Sequence, residues 1–180
     1  MTNYNNIIAI DPDTDKSGIA CLEKSTRKLE LSSLTFFQLF DYMVWLTTQN
    51  EPFIVIIEGG WLNDKSNFHA AKNQRSSDRI SKNVGANHEV GKLIVQMCEY
   101  LKVKHEVKRP LVKIWAGNNR KITHEELVYF TGIMGKTNQE TRDAALLAWY
   151  YAGLPIKILN LSKSKSVNCK RPVLSIKKRV

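Results

Sequence analysis

The chain has 180 residues, 27 Lys and Arg against 17 Asp and Glu, and a net charge of +10. With 43% apolar and 24% charged residues it is too hydrophobic for a disordered chain, and its length suits one domain with a tail. No apolar run approaches the ~20 residues of a membrane helix, and the start, Met-Thr-Asn-Tyr-Asn-Asn, lacks the basic and apolar regions of a signal peptide, so a cytoplasmic protein without a membrane partner is expected.

Asn6 to Asp11 reads as a short buried strand that ends in a polar turn, Asp-Pro-Asp-Thr-Asp-Lys-Ser-Gly. Gly18 to Glu23 and Lys28 to Leu34 alternate in polarity, as two further strands of an antiparallel meander do. From Thr35 to about Gln49, Phe36, Phe37, Leu39, Phe40, Met43, Val44 and Leu46 recur at helical intervals, and Thr35 can cap that helix. Phe53 to Ile57 is apolar throughout, which predicts a strand buried on both faces, central and parallel to the first. Residues 63–83 are polar, basic and without period, which predicts a loop or mobile segment. Val90, Leu93, Ile94, Met97, Cys98 and Leu101 mark an amphipathic helix over 84–103, followed by a short strand near His105–Lys108. Thr123 and Glu126 form a capping box at the head of another helix, and a last, Ala-rich helix runs from Gln139 or Thr141 to Ala152. The order β-β-β-α-β-α-β-α-α predicts an α/β layer fold: a mixed five-stranded sheet flanked by helices, over residues 1–160, with 161–180 as a basic tail.

Charge is distributed in blocks along this order. Residues 1–64 carry −5, 65–121 carry +9, 122–160 carry −1 and 161–180 carry +7 with no carboxylate at all. A polyanionic partner, most commonly nucleic acid, suits the basic blocks; a solvated surface with an unstructured tail suits them as well. Cys21, Cys98 and Cys169 are far apart with no C-x-x-C pair, which argues against a disulfide framework or zinc knuckle. His69, His88, His105 and His124 have no metal-ligand spacing.

Four carboxylates stand where chemistry would be placed. Asp11 follows the first apolar strand and Glu58 the second; if these strands are parallel neighbours, the two acids meet at the end of an open sheet where ligands bind. Glu140 and Asp143 lie three apart on one face of the last helix, whose Ala144-Ala-Leu-Leu-Ala148 run suits close packing on the sheet. Carboxylates that converge repel one another and raise each other's pKa, and Mg²⁺ or Mn²⁺ resolves the conflict; two such ions clamping a phosphate serve nucleases and polymerases. Singly, each acid reads first as a turn, strand-end or helix-start residue; as a set, in this order and on this topology, the four read as a metal site.

Ile8-Ala-Ile-Asp11-Pro12, with Gly18 seven residues after the Asp, resembles the first-strand signature of the RuvC-type Holliday junction resolvases, which have the ribonuclease H-like fold. The likeness spans about residues 7–152: Glu58 at its strand end, Gly85 and Gly91-Lys92 on a helix, Val112-Lys113, Gly117, Lys121, and the closing Glu140-x-x-Asp143-Ala-Ala-Leu-Leu-Ala. The resemblance implies an endonuclease that cuts branched DNA in recombination and repair. It implies that Asp11, Glu58, Glu140 and Asp143 are ligands of two Mg²⁺ or Mn²⁺ ions, and that Lys121 supports phosphate binding or transition-state charge. Trp61 falls where the family places a Phe that stacks on a base at the crossover, a role that aromatic stacking supports at about 1–3 kcal/mol per base; a Trp at the edge of the core is the alternative. Lys65, Lys72, Arg75, Arg79, Lys82, Lys113 and Lys121 are candidate DNA contacts. Symmetric resolution needs two cuts and so implies a homodimer, with helix 84–103 as candidate interface; a branch-migration helicase partner stays open. The chain departs from the family at Asp13, usually Gly, at Glu140, usually Asp or His, and in a longer 63–83 segment. Another ribonuclease H-like nuclease, acting on RNA or simpler DNA, and a non-catalytic basic DNA-binding protein are the alternatives.

Overall fold

Residues 4–63 and 74–158 are described by the computed structural model. In chain order they form β1 (Asn6–Asp11), β2 (Ser17–Glu23), β3 (Lys28–Leu34), α1 (Phe36–Thr48), β4 (Phe53–Glu58), α2 (Gln74–Tyr100), β5 (His105–Lys108), α3 (His124–Thr131) and α4 (Gln139–Tyr151), with short 3₁₀ turns at Gly60–Leu62 and Asn118–Arg120.

The strands lie side by side in the order β3-β2-β1-β4-β5. β1 runs parallel to β4, with Ile8 opposite Val55 and Ile10 opposite Ile57, and β4 runs parallel to β5. β2 is antiparallel to both of its neighbours. The mixed five-stranded sheet flanked by helices is the one the predicted element order implied, and with only its second strand reversed it is the ribonuclease H-like fold that the resemblance implied.

Alternation along β1 and β4 builds two cores from the same strands. Ile7, Ala9, Ile54 and Ile56 face α3 and α4, packing with Leu127, Ala144, Ala145, Leu147 and Trp149. Ile8, Ile10, Val55 and Ile57 face α1 and α2, packing with Leu39, Met43, Ile94, Met97 and Cys98. Each fully buried Ile, Leu, Val or Met among them contributes about 1.5–3 kcal/mol by leaving water. Three helix starts are sealed reciprocally: Thr35 with Gln38, Thr123 with Glu126, and Asn138 with Thr141.

One expectation is corrected. The segment 63–83 is not a loop throughout: α2 starts at Gln74, ten residues before the predicted helix, while 64–73 lie outside the described residues. Ser81 to Ala86 are all exposed, so that part of α2 buries no stripe and shows no apolar period to read. Among the described residues no helix is long and apolar enough to cross a membrane. The basic tail, 161–180, lies outside the described residues.

Candidate active site

The alternation that builds the cores also aims the acids. Asp11 continues the Ile7, Ala9 series of β1 and Glu58 the Ile54, Ile56 series of β4, so both belong to the face that α4 covers. The register that sets Ile10 against Ile57 makes Asp11 and Glu58 the next neighbours, at the carboxyl ends of two parallel strands. α4 brings Glu140 and Asp143 in its first turns, and Asn138, just before the helix, ties its start to β3 by donating to Ser33 Oγ at 2.9 Å. Gly18 lies opposite Asp11 on β2. A Cβ there would stand 2.2 Å from the Glu140 carbonyl, so only glycine lets α4 settle this close to the strand.

Burial and crowding load the cluster electrostatically. The Asp11 carboxyl is held well above its usual range, first by loss of water and then by the charges of Glu58, Asp143 and Glu140, with Lys121 opposing. Glu58 is pushed up to about 7 by burial and by Asp143, against the pull of Lys113 and Lys121. Asp143 is doubly held: Lys121 Nζ is 3.2 Å from Oδ2, and Gln139 Nε2 donates to Oδ1 at 2.8 Å. Beside this pair lies a cleft of about 20 Å³, bordered by Glu58, Val112, Lys113 and Lys121, with room for roughly one water molecule.

All four carboxylates are hard oxygen donors, and burial and neighbouring carboxylates raise Asp11 and Glu58, the conditions that a bound cation relieves. Among the described residues no three His, Cys, Asp or Glu side chains are gathered tightly enough to enclose an ion. The donor type and the electrostatics fit such an ion; the spacing is wider than a closed ligand set.

The other predicted residues divide. Lys113 is exposed at the mouth of the cleft, and Lys82 is exposed on α2. Arg75 and Arg79 belong to the backbone of α2 with their side chains outside the described residues, as are Lys65 and Lys72 altogether. Trp61 is half-buried in the turn after β4. Its ring meets His88 edge-on at 6.3 Å and lies where a Cβ on Gly91 would come within 2.3 Å, so it packs against α2. Asp13 uses its carboxylate in the turn: Oδ1 accepts from the Asp15 N–H at 3.0 Å and Oδ2 from Asn87 Nδ2 at 3.1 Å, tying the β1–β2 turn to α2. Gln139 escaped the sequence reading, although its i,i+4 spacing from Asp143 was the available signal.

No protein-family model and no curated protein matches the chain. Among solved structures it is similar to T. thermophilus RuvC in complex with Holliday junction substrate, at 11% identity over 83% of this chain and 93% of that one, with a TM-score of 0.48. It is also similar to the catalytic core domain of BIV integrase, at 12% identity over 79% of this chain and 82% of that one, with a TM-score of 0.28. At these values neither transfers a residue's role, and the ribonuclease H-like fold stands on the strand order itself.

Proposed function

We propose that the chain is a divalent-metal-dependent endonuclease acting on branched DNA, four-way junctions above all. The observation that carries the reading is the convergence of Asp11, Glu58, Glu140 and Asp143 on one face of the sheet, with the Asp11 and Glu58 carboxyls raised by burial and by neighbouring charge, and with Lys113 and Lys121 beside them. The preference for junctions rests on the ordered motifs of the RuvC-type resolvases in the sequence.

Asp11, Glu58, Asp143 and Glu140 would hold Mg²⁺ or Mn²⁺, two ions in the full site. Ions bound there supply Lewis-acid stabilisation of the phosphate and of the attacking water. The chain's own residues do the rest. Gln139 fixes the rotamer of Asp143 through its amide. Lys121 and Lys113 bring positive charge to the cleft, where a phosphate would otherwise meet four carboxylates. Further Lys and Arg contacts on the DNA backbone provide affinity that falls steeply with salt.

Two cuts across a junction call for two such sites, and the α1–α2 side offers a surface for a homodimer. Phe36, Phe37, Phe40, Leu93, Met97 and Tyr100 border an apolar groove of about 400 Å³, with Phe37 and Tyr100 each 78% exposed.

Cleavage of a synthetic four-way junction in Mg²⁺, beside duplex, single-strand and RNA–DNA hybrid controls, tests the proposal. Junction cutting that is lost in Asp11→Asn with binding retained is the expected result. Equal cutting of the simple substrates removes the junction preference, and activity untouched by Asp11→Asn leaves a DNA-binding protein with structural acids.

A further inference from the structure

We infer that Glu126, together with Arg142, is a positioning residue that holds the 116–123 loop so that Lys121 reaches Asp143. What the positioned lysine does rests on the nuclease reading; the brace does not.

Lys121 belongs to neither a strand nor an α-helix. It follows a single 3₁₀ turn, Asn118–Arg120, in which Asn119 and Arg120 both adopt left-handed backbone, φ 53° and 59°. Non-glycine residues in that region cost about 1–3 kcal/mol each and persist only where surrounding structure imposes them. The loop closes on itself through Gly117 N–H to Lys121 O at 3.0 Å and Lys121 N–H to Asn118 O at 3.1 Å. At Gly117 the two limbs are so close that a Cβ would lie 2.4 Å from the Lys121 carbonyl oxygen. These bonds shape the loop but do not attach it to the site.

Glu126 does so from α3. It is only 2% exposed. One oxygen, Oε2, accepts the Thr123 N–H at 2.9 Å, the ordinary return half of a capping box. The other, Oε1, accepts the Ala116 N–H at 3.0 Å, ten residues back and at the opposite end of the loop. A cap needs the first bond only. The second makes one carboxylate the clasp of both loop ends, a task for two acceptor oxygens that glutamine, with one oxygen and an NH₂, cannot perform.

Arg142 completes the attachment from α4. Nε donates to Ile122 O at 3.0 Å, next to Lys121; Nη1 donates to Thr137 O at 3.1 Å; Nη2 donates to Gln139 Oε1 at 3.0 Å. Gln139 in turn donates to Asp143. The 3.2 Å approach of Lys121 to Asp143 is therefore the junction of two braced elements.

The experiment compares the full chain with Glu126→Gln, Lys121→Ala and the double variant, by amide hydrogen exchange and by junction-cleavage kinetics. In Glu126→Gln the Gly117 and Lys121 amides should exchange about tenfold faster while those of Leu127 and Gly132, bonded within and at the end of α3, keep their protection. Cleavage kcat should fall about tenfold with KM little changed, and the same substitution in the Lys121→Ala background should lower kcat less than about twofold further. Loss of protection in α3 with the loop intact, or additive losses of kcat, would overturn the inference. If the unaltered chain cuts nothing, the nuclease reading falls and the exchange pattern alone decides the brace. Should Glu126→Gln fail to fold, Arg142→Lys keeps the charge but loses the fork, and the same loop amides and kcat are read.

Discussion

The two faces of the sheet are made by alternate residues of the same strands, yet they are put to different uses. On the α4 side the core includes Ala9, Ala20, Ala144, Ala145 and Ala148 on strands and helix, and the strand series end in Asp11 and Glu58. On the α1–α2 side Ile8, Ile10, Ile19, Met43 and Met97 belong to a core with no alanine among its described buried residues, which continues outward into an exposed apolar groove. Small residues let a helix bring its own carboxylates down to those of the strands. A shift of one residue along β1 thus separates charge crowding from plain packing.

The most severe way to break this contrast is to exchange one residue on each face. On the proposed nuclease function Asp11→Asn should lower cleavage by at least about a hundredfold, since Asp11 would hold ions that supply several kcal/mol of transition-state stabilisation. It should at the same time stabilise the fold at pH 8, because it removes a buried charge whose pKa is raised. Ile8→Ala, on the other face, should cost about 2–5 kcal/mol of stability and leave the activity of the folded fraction intact. Urea unfolding and cleavage assays run in parallel decide the matter; destabilisation by Asp11→Asn would refute the electrostatic account.

Next in size is the pH dependence of stability without added metal. The folded-state pKa of Glu58, about 7, lies above its usual 4.5, so the native state holds a proton that the unfolded chain releases. The associated stability is present below pH 4.5 and is lost as pH rises to about 7, by an upper bound of roughly 3 kcal/mol. Glu58→Gln should flatten the profile across that window. Mg²⁺ should raise the unfolding temperature at neutral pH, by the equivalent of about 2.7 kcal/mol at a hundredfold excess over its Kd, and should fail to do so in Asp11→Asn.

Smaller effects belong to the opposite side. Phe37→Ser combined with Tyr100→Ser should convert a dimer to a monomer in sedimentation and leave junctions nicked once rather than cut twice; an unaltered chain that sediments as a monomer would remove this interface. Deleting 161–180 should have the least consequence for cleavage while flattening the salt dependence of binding, and an unchanged salt slope would count against a DNA-contacting tail.

Local chemistry explains what could be read before folding. Ile7 to Asp11 and Phe53 to Glu58 announced themselves as strands because both faces are buried, and their terminal acids stood out against apolar runs. Thr35 and Thr123 announced helix starts because capping is a contact between residues three apart. What stayed hidden depends on distant partners or on no partner at all. Ser81 to Ala86 of α2 bury no stripe. Asp13 serves Asn87, 74 positions away, and Arg142 reaches Ile122, 20 positions away. The packing of Trp61 against Gly91 is of the same kind, a contact between positions 30 apart that depends on the approach of α2.

Gly18 carries the least chemistry of any residue around the carboxylates, and it sets the spacing on which they depend. With 2.2 Å between a notional Cβ and the Glu140 backbone, even alanine there would act as a shim under the first turn of α4. Such a wedge would lift Glu140 and Asp143 together away from Asp11 and Glu58 while every functional group remained in place. Any redesign of this centre that varies only its charged residues therefore has a hidden dimension: the gap between strand and helix, kept by the one position that contributes no side chain.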